Sequence, residues 1–265
     1  MELIDIGANL THAAFQQDLP DVVQRARGAG VNQIIVTGTA VDEVMAAIHV
    51  AEQYDFYATA GVHPHHARDC GPQTISALRE LAKHPRVVAI GECGLDFNRN
   101  YSPHPDQEKW FVAQLELGIE LGMPLFLHSR DAHPRFSEIV SSLRPKKAVA
   151  HCFTGERDEL HAYLDLGLYI GITGWICDER RGRQLVELVR EVPRERLLLE
   201  TDSPYLTPRD LQPQPKARRN EPAFLPHILK AVARALGRPA EDVAAETTRN
   251  AQMLFGLRAA ARTPA

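Results

Sequence analysis

Short apolar, β-branched runs recur along this chain, and each is followed by a longer stretch whose apolar residues return every three to four positions. Eight runs stand out: Leu3–Ala8, Gln33–Gly38, Phe56–Gly61, Val87–Gly91, Pro124–His128, Ala148–Cys152, Leu168–Thr173 and Leu197–Thr201. Apolar runs of that length read as buried strands, and their alternation with helical periodicity is the mark of βα units around a parallel sheet. Val41–Tyr54 illustrates the intervening helices, with Val44, Ala47, Ile48 and Ala51 in one stripe and Asp42, Glu43, Glu52 and Gln53 elsewhere. Pro105-Asp106-Gln107-Glu108 opens the longest helical run, toward Phe111, Leu115 and Ile119, and proline with acidic residues suits a helix N-terminus. From Ala223 to Leu257 the pattern predicts two more helices, broken near Gly237-Arg238-Pro239 and placed to close the fold. Eight units predict a (β/α)₈ TIM barrel formed by residues 1–265 as one domain. A doubly wound open sheet would show the same alternation, but it gives no reason to stop at eight or to place polar residues after nearly every strand.

Composition narrows the function classes. With 44% hydrophobic and 24% charged residues, the 265-residue chain is that of an ordinary globular protein. Its formal net charge of −4 provides no general field for nucleic acid, so phosphate binding has to be local. No window nears the roughly 20 apolar residues of a membrane span. Cys70, Cys93, Cys152 and Cys177 have no paired spacing, and the N-terminus lacks a basic region followed by an apolar run. These features predict a cytoplasmic protein with no membrane association and no evident obligate protein partner.

In a barrel the reactive groups gather where the strands end. Here the strand ends lead into His63 and His65, Glu92, His128, His151 and Asp202, all residue types that bind divalent metals. An isolated histidine or carboxylate at a strand end is usually structural. Imidazole or carboxylate at five of eight ends of one rim is a different matter, and it predicts a metal site. Strand alternation turns Cys93 and Cys152 away from that site if Glu92 and His151 face it, which makes the cysteines packing residues.

Two arginine-rich stretches follow the last two strands: Arg180, Arg181 and Arg183, then Arg209, Lys216, Arg218 and Arg219. Either alone reads as a solvated charge run, but barrels bind phosphate in this region and guanidinium groups match phosphate oxygens in pairs. Pro208, Pro213, Pro215 and Pro222 are placed to hold the second stretch extended. Trp175, Tyr205 and Phe97 lie near the same rim as stacking candidates, although packing is the commoner role of such residues.

Several segments together resemble the TatD family of metal-dependent DNases: Gly61-Val62-His63-Pro64-His65, Gly91-Glu92-Cys93-Gly94-Leu95-Asp96, Leu127-His128-Ser129-Arg130, His151-Cys152-Phe153-Thr154-Gly155, Glu200-Thr201-Asp202-Ser203-Pro204-Tyr205 and Arg219-Asn220-Glu221-Pro222. They occur in the family's order over nearly the whole chain. The resemblance implies a metal-dependent hydrolase barrel with 3′→5′ exonuclease action on single-stranded DNA, RNA being a second possible substrate, and a role in DNA repair or nucleic-acid turnover. By the same resemblance, Glu92, His128 and His151 are metal ligands and Asp202 is a ligand or general base. His63 and His65, with Arg130, Arg180, Arg181, Arg218 and Arg219, fall to substrate and phosphate. Many family members begin with an Asp-x-His-x-His motif, whereas this chain has Asp5-Ile6-Gly7-Ala8-Asn9. Losing two imidazoles implies a more oxygen-rich, more hydrated site, suited to Mg²⁺ or Mn²⁺ rather than tightly held Zn²⁺.

The chemistry so implied is in-line hydrolysis of a phosphodiester, with Glu92 and Asp202 as catalytic residues. Hydrolysis of a small amide or ester is the rival, since polarised water attacks carbonyl groups too. A barrel retained only to bind nucleic acid is a third reading.

Overall fold

The computed structural model describes residues 1–258 except 181, 216 and 217. Eight strands among the described residues, β1 Leu3–Ala8, β2 Val31–Val36, β3 Tyr57–Ala60, β4 Val87–Asp96, β5 Leu125–Arg130, β6 Ala148–Ala150, β7 Tyr169–Ile172 and β8 Leu197–Leu199, pair in sequence order, each parallel to the next. Past the end of β8 the chain returns to β1: Ala8 bridges Ser203 in parallel, Asp202 N–H donates to Gly7 O (2.8 Å) and Asn9 N–H to Ser203 O (2.7 Å). These bonds bring the last strand around to the first, and the expected barrel is the fold observed. Arg181 and Lys216 lie outside the described residues.

Helices α1 Leu19–Gly28, α2 Val41–Tyr54, α3 Thr74–Leu81, α4 His104–Leu121, α5 His133–Leu143, α6 Arg157–Asp165, α7 Arg183–Leu188 and α8 Leu225–Leu236 each follow a strand, and α9 Ala240–Phe255 is additional. The bounds of α2 are those its apolar stripe predicts. Helix α4 begins with proline in its first turn beside Asp106, and the expected break between α8 and α9 is made by Gly237, in the left-handed region at φ 64°. None of the described helices is long and apolar enough to cross a membrane.

Two apolar clusters fill the structure. The larger lies between strands and outer helices and includes Val22, Val44, Phe111, Leu115 and Phe136. The smaller joins Ile4, Ile6, Ile35, Ala89, Phe126, Val149 and Leu198 of the strands to Ala251, Leu254, Phe255 and Leu257 in and after α9. One end of the barrel is thus sealed by a helix that the eightfold repeat does not require. Side chains for chemistry are left to the other end.

Strand β4 is twice as long as its pattern suggests, running to Asp96 instead of Gly91. Its pairing with β5 matches Gly91 to Phe126 and then Cys93 to Leu127, so Glu92 is an extra residue, a bulge. A bulge shifts the phase of the pleat. Ala89 belongs to the inner cluster, Cys93 and Leu95 belong to the outer one, and Glu92 and Asp96 face the mouth together.

Candidate active site

Glu92, only 4% exposed, gathers three imidazoles around one carboxylate oxygen. From its Oε1 the distances are 2.8 Å to His151 Nε2, 2.9 Å to His128 Nδ1 and 3.2 Å to His63 Nε2. His128 Nδ1 and His151 Nε2 are themselves 3.4 Å apart. Burial opposes ionisation of Glu92, but His151 and the hydrogen bonds around the carboxylate hold it well below the usual range. Burial likewise disfavours protonated His151, yet the charges of Glu92 and Glu200 raise it well above the ordinary histidine value. His128 is raised too, against burial, by the neighbouring carboxylates of Asp96 and Glu92. Four carboxylates around this point, Glu92, Asp96, Glu200 and Asp202, demand positive charge. Protons on His128 and His151 supply it, and a divalent cation held between the same atoms would do so too.

The hydrogen bonds distinguish the histidines. His63 Nδ1 accepts the backbone N–H of His65 (3.1 Å), so neutral His63 carries its hydrogen on Nε2 and donates it toward Glu92. Burial keeps His63 neutral by lowering its pKa to about 4. A ring in that tautomer is a hydrogen-bond donor, although His63, Glu92 and His128 do have donor atoms within 4.8 Å of one another. His151 has the opposite arrangement: Nδ1 faces Glu200 Oε2 at 3.3 Å, which leaves Nε2 for the centre. His128 Nε2 is buried without a hydrogen bond among the described residues and faces Asp96 Oδ2 at 3.8 Å. With Nδ1 on Glu92 and Nε2 beside Asp96, the ring stands between two carboxylates, surroundings that suit a cation. His65 stands one step out, its Nε2 2.6 Å from Asp96 Oδ2.

Three residues with work at the site carry no role in the sequence reading. Asp96, 2% exposed, joins His65 to His128, and Gln107 fixes it by binding both its backbone N–H and its C=O. Glu200, fully buried, accepts the Cys152 N–H and meets His151. Its carboxylate lies where two glycines leave room: a Cβ on Gly7 would stand 2.6 Å from Glu200 Oε2, and one on Gly171 would collide with Oε1. Asn9 donates Nδ2–H to Asp202 Oδ1 at 3.0 Å. The two positions lacking the family's early histidines therefore serve carboxylates. This makes the site oxygen-rich as expected, but the space at Gly7 is taken by a buried carboxylate instead of added water.

Asp202 sits beside this cluster. Burial pushes its carboxyl up to about 7; Glu92 and Glu200 add to the rise, while His151 and Asn9 oppose it. Cys93 is buried in the outer cluster as alternation requires. Cys152 lies two residues past the end of β6, with φ 46°, so alternation does not govern it, and its sulfur meets Thr173 Oγ1 at 3.6 Å.

The arginines divide. Arg130 lies over the Trp175 ring at 5.6 Å. Arg180 and Arg209 line a cleft of about 220 Å³ with Trp175, Asp178 and Thr207, and Arg209 reaches Asp178 at 3.2 Å. Arg218 is exposed. Arg219 corrects the expectation of a phosphate contact: its guanidinium binds Asp18 (2.7 Å), Glu221 (2.7 Å) and the carbonyl of Ala14, and lies over Phe15. Committed in this way, it fastens the connection after β8 to the chain before α1. Of the aromatic candidates, Tyr205 is exposed, Trp175 is flanked by arginines, and Phe97 stacks on His104 at 3.8 Å.

Comparison with known proteins identifies the family. The family profile described as TatD related DNase matches residues 4–256. A Pantoea vagans protein named 3′-5′ ssDNA/RNA exonuclease TatD is 55% identical over 259 residues, covering 96% of this chain and all of that protein. One of the same name from Edwardsiella piscicida is 55% identical over 262 residues, again covering all of its length. Among solved structures, YJJV, a TATD homolog from Escherichia coli, superposes with a TM-score of 0.89 at 27% identity, covering 97% of this chain and 98% of its own. A phosphotriesterase homology protein from Escherichia coli, with a TM-score of 0.69 and 14% identity, shares the fold.

Proposed function

The chain belongs to the TatD-related DNase family, and from that membership we propose that it is a divalent-metal-dependent 3′–5′ exonuclease for single-stranded DNA and RNA, working with Mg²⁺. The observation that carries the reading is the meeting of His128 and His151 on Glu92 Oε1, at the open end of a barrel 55% identical over its length to a 3′-5′ ssDNA/RNA exonuclease.

Glu92, His128 and His151 would hold the ion. Their donor atoms stand 2.8–3.4 Å apart, close to the spacing around a cation whose bonds are about 2.0–2.1 Å long. Once bound, a divalent cation lowers the pKa of water and neutralises charge on the scissile phosphate. The protein's own groups do the rest. Glu200 takes the Nδ1–H of His151, and Asp96 faces the far nitrogen of His128, so both rings are aimed from behind. Asp202, steadied by Asn9, orients the attacking water and receives its proton. The His63 Nε2–H and His65 donate toward phosphate oxygens, while Arg130, Arg180 and Arg218 attract the strand backbone. No thiolate is among these ligands, and the carboxylates that surround them, Asp96, Glu200 and Asp202, favour Mg²⁺ or Mn²⁺ over Zn²⁺.

The test is reconstitution after chelation, followed on 5′-labelled single strands of DNA and RNA beside amide and ester substrates. Mg²⁺ should restore a ladder that shortens from the 3′ end, with Mn²⁺ substituting. Activity with Zn²⁺ alone, or turnover confined to amides and esters, would overturn the proposal.

A further inference from the structure

A second group of metal-binding side chains lies away from this centre. Cys177 ends a short 3₁₀ turn, Gly174–Cys177, after β7; Asp210 lies in the connection from β8; His227 lies in the first turn of α8. One donor atom from each, Sγ, a carboxylate oxygen and an imidazole nitrogen, falls within 4.8 Å of the other two. His227 Nε2 is 2.6 Å from Asp210 Oδ1, and Arg234 reaches Oδ2 of the same carboxylate at 3.8 Å. Cysteines in a packed interior normally meet apolar atoms. Cys177 is 6% exposed, yet its thiol faces a carboxylate; burial first and then Asp210 push it up to about 12.

We propose that Cys177, Asp210 and His227 form a Zn²⁺ site, separate from the hydrolytic centre, that ties the connections after β7 and β8 to α8. One sulfur, one imidazole and one carboxylate, with water in the fourth position, make a tetrahedral donor set for a borderline-soft cation. Bonds of about 2.0–2.3 Å require donors closer together than 4.8 Å, and rotation of the exposed Asp210 and the half-buried His227 closes that gap. Binding releases the thiol proton and exchanges the Asp210–His227 hydrogen bond for two bonds to the ion. The site has a consequence for the neighbouring cleft. Asp178 follows Cys177 and Arg209 precedes Asp210, so an ion here fixes both walls of the cleft that carries Arg180 and Arg209.

Cobalt reports on the site, because a thiolate ligand gives Co²⁺ a strong near-ultraviolet charge-transfer band, whereas Glu92, His128 and His151 offer no sulfur. The full chain, stripped with a chelator, should develop that band as Co²⁺ is added and lose it as Zn²⁺ displaces the cobalt. Cys177→Ser should abolish the band, and His227→Ala, at a half-buried position, should weaken Co²⁺ binding about tenfold or more. Glu92→Gln should leave the band intact. Failure of the wild type to give the band, or a band that survives Cys177→Ser, overturns the proposal. Circular dichroism of each variant confirms folding, and if Cys177→Ser does not fold, an undiminished band in His227→Ala is by itself sufficient to reject the site.

Discussion

The two ends of this barrel are built from the same eight strands and share almost nothing else. At the N-terminal end, Ile4, Ile35, Val149 and Leu198 pack against Leu254 and Phe255 in one apolar layer. At the C-terminal end, within one strand's length, four carboxylates and four imidazoles crowd together, mostly buried. Sealing one end with hydrocarbon holds the strands in register without help from the mouth. The mouth can then keep charges that would cost stability in a protein with less apolar burial. Stability and chemistry are thereby divided along the barrel axis.

The sharpest way to break this comparison is at Glu92. Glu92→Gln keeps the shape but removes the charge that the imidazoles surround; nuclease activity should fall at least about a thousandfold while the thermal midpoint moves by no more than a few degrees. A collapse in stability of similar scale would show that the mouth also carries the fold. At the opposite end, Leu254→Ala opens a cavity against the inner strands and should cost about 2–5 kcal/mol, read by denaturant unfolding. Single-turnover cleavage per folded molecule should stay near wild type, and a large drop there would join what the comparison separates.

The smallest effect concerns the fastener between the ends of the chain. Arg219 holds the Asp18 carboxyl below its ordinary value of 3.8, so folding binds fewer protons than the unfolded chain does. That stability is present above the unfolded value and is lost as pH falls through the depressed one. Arg219→Ala should lower the thermal midpoint by about one to two degrees near neutral pH, with the difference from wild type shrinking as pH falls below the ordinary carboxylate range. A difference that persists in acid would assign the effect to the packing of Arg219 on Phe15 instead.

How legible each part was depended on whether it obeyed a local period. The α2 helix follows a 3.6-residue repeat and the eight strands are short apolar runs, and their order in the barrel is what the alternation of run and helix implies. Glu92, His128 and His151 were legible because each stands near the end of an apolar run. Asp96 was not, because the bulge at Glu92 carries β4 five residues beyond its apolar run; the alternation of Glu92, Gly94 and Asp96 was the available signal. Glu200 was hidden directly behind the leucines of β8, where a buried carboxylate makes sense only once Gly7 and Gly171, distant in sequence, are seen to leave it space. Arg219 misled for the converse reason. Its sequence neighbours are basic loop residues, while its spatial neighbours are Asp18 and Glu221.

Glu200 with its two glycines also constrains how such a chain can change over generations. A side chain at position 7 or 171 and a carboxylate at 200 exclude one another, since each claims the same few cubic ångströms. Replacing Gly7 alone evicts the group that steadies His151, and shortening residue 200 alone leaves a void beneath it. A side chain at position 7 is therefore out of reach by one substitution here, and drift at residues 7, 171 and 200 has to proceed jointly.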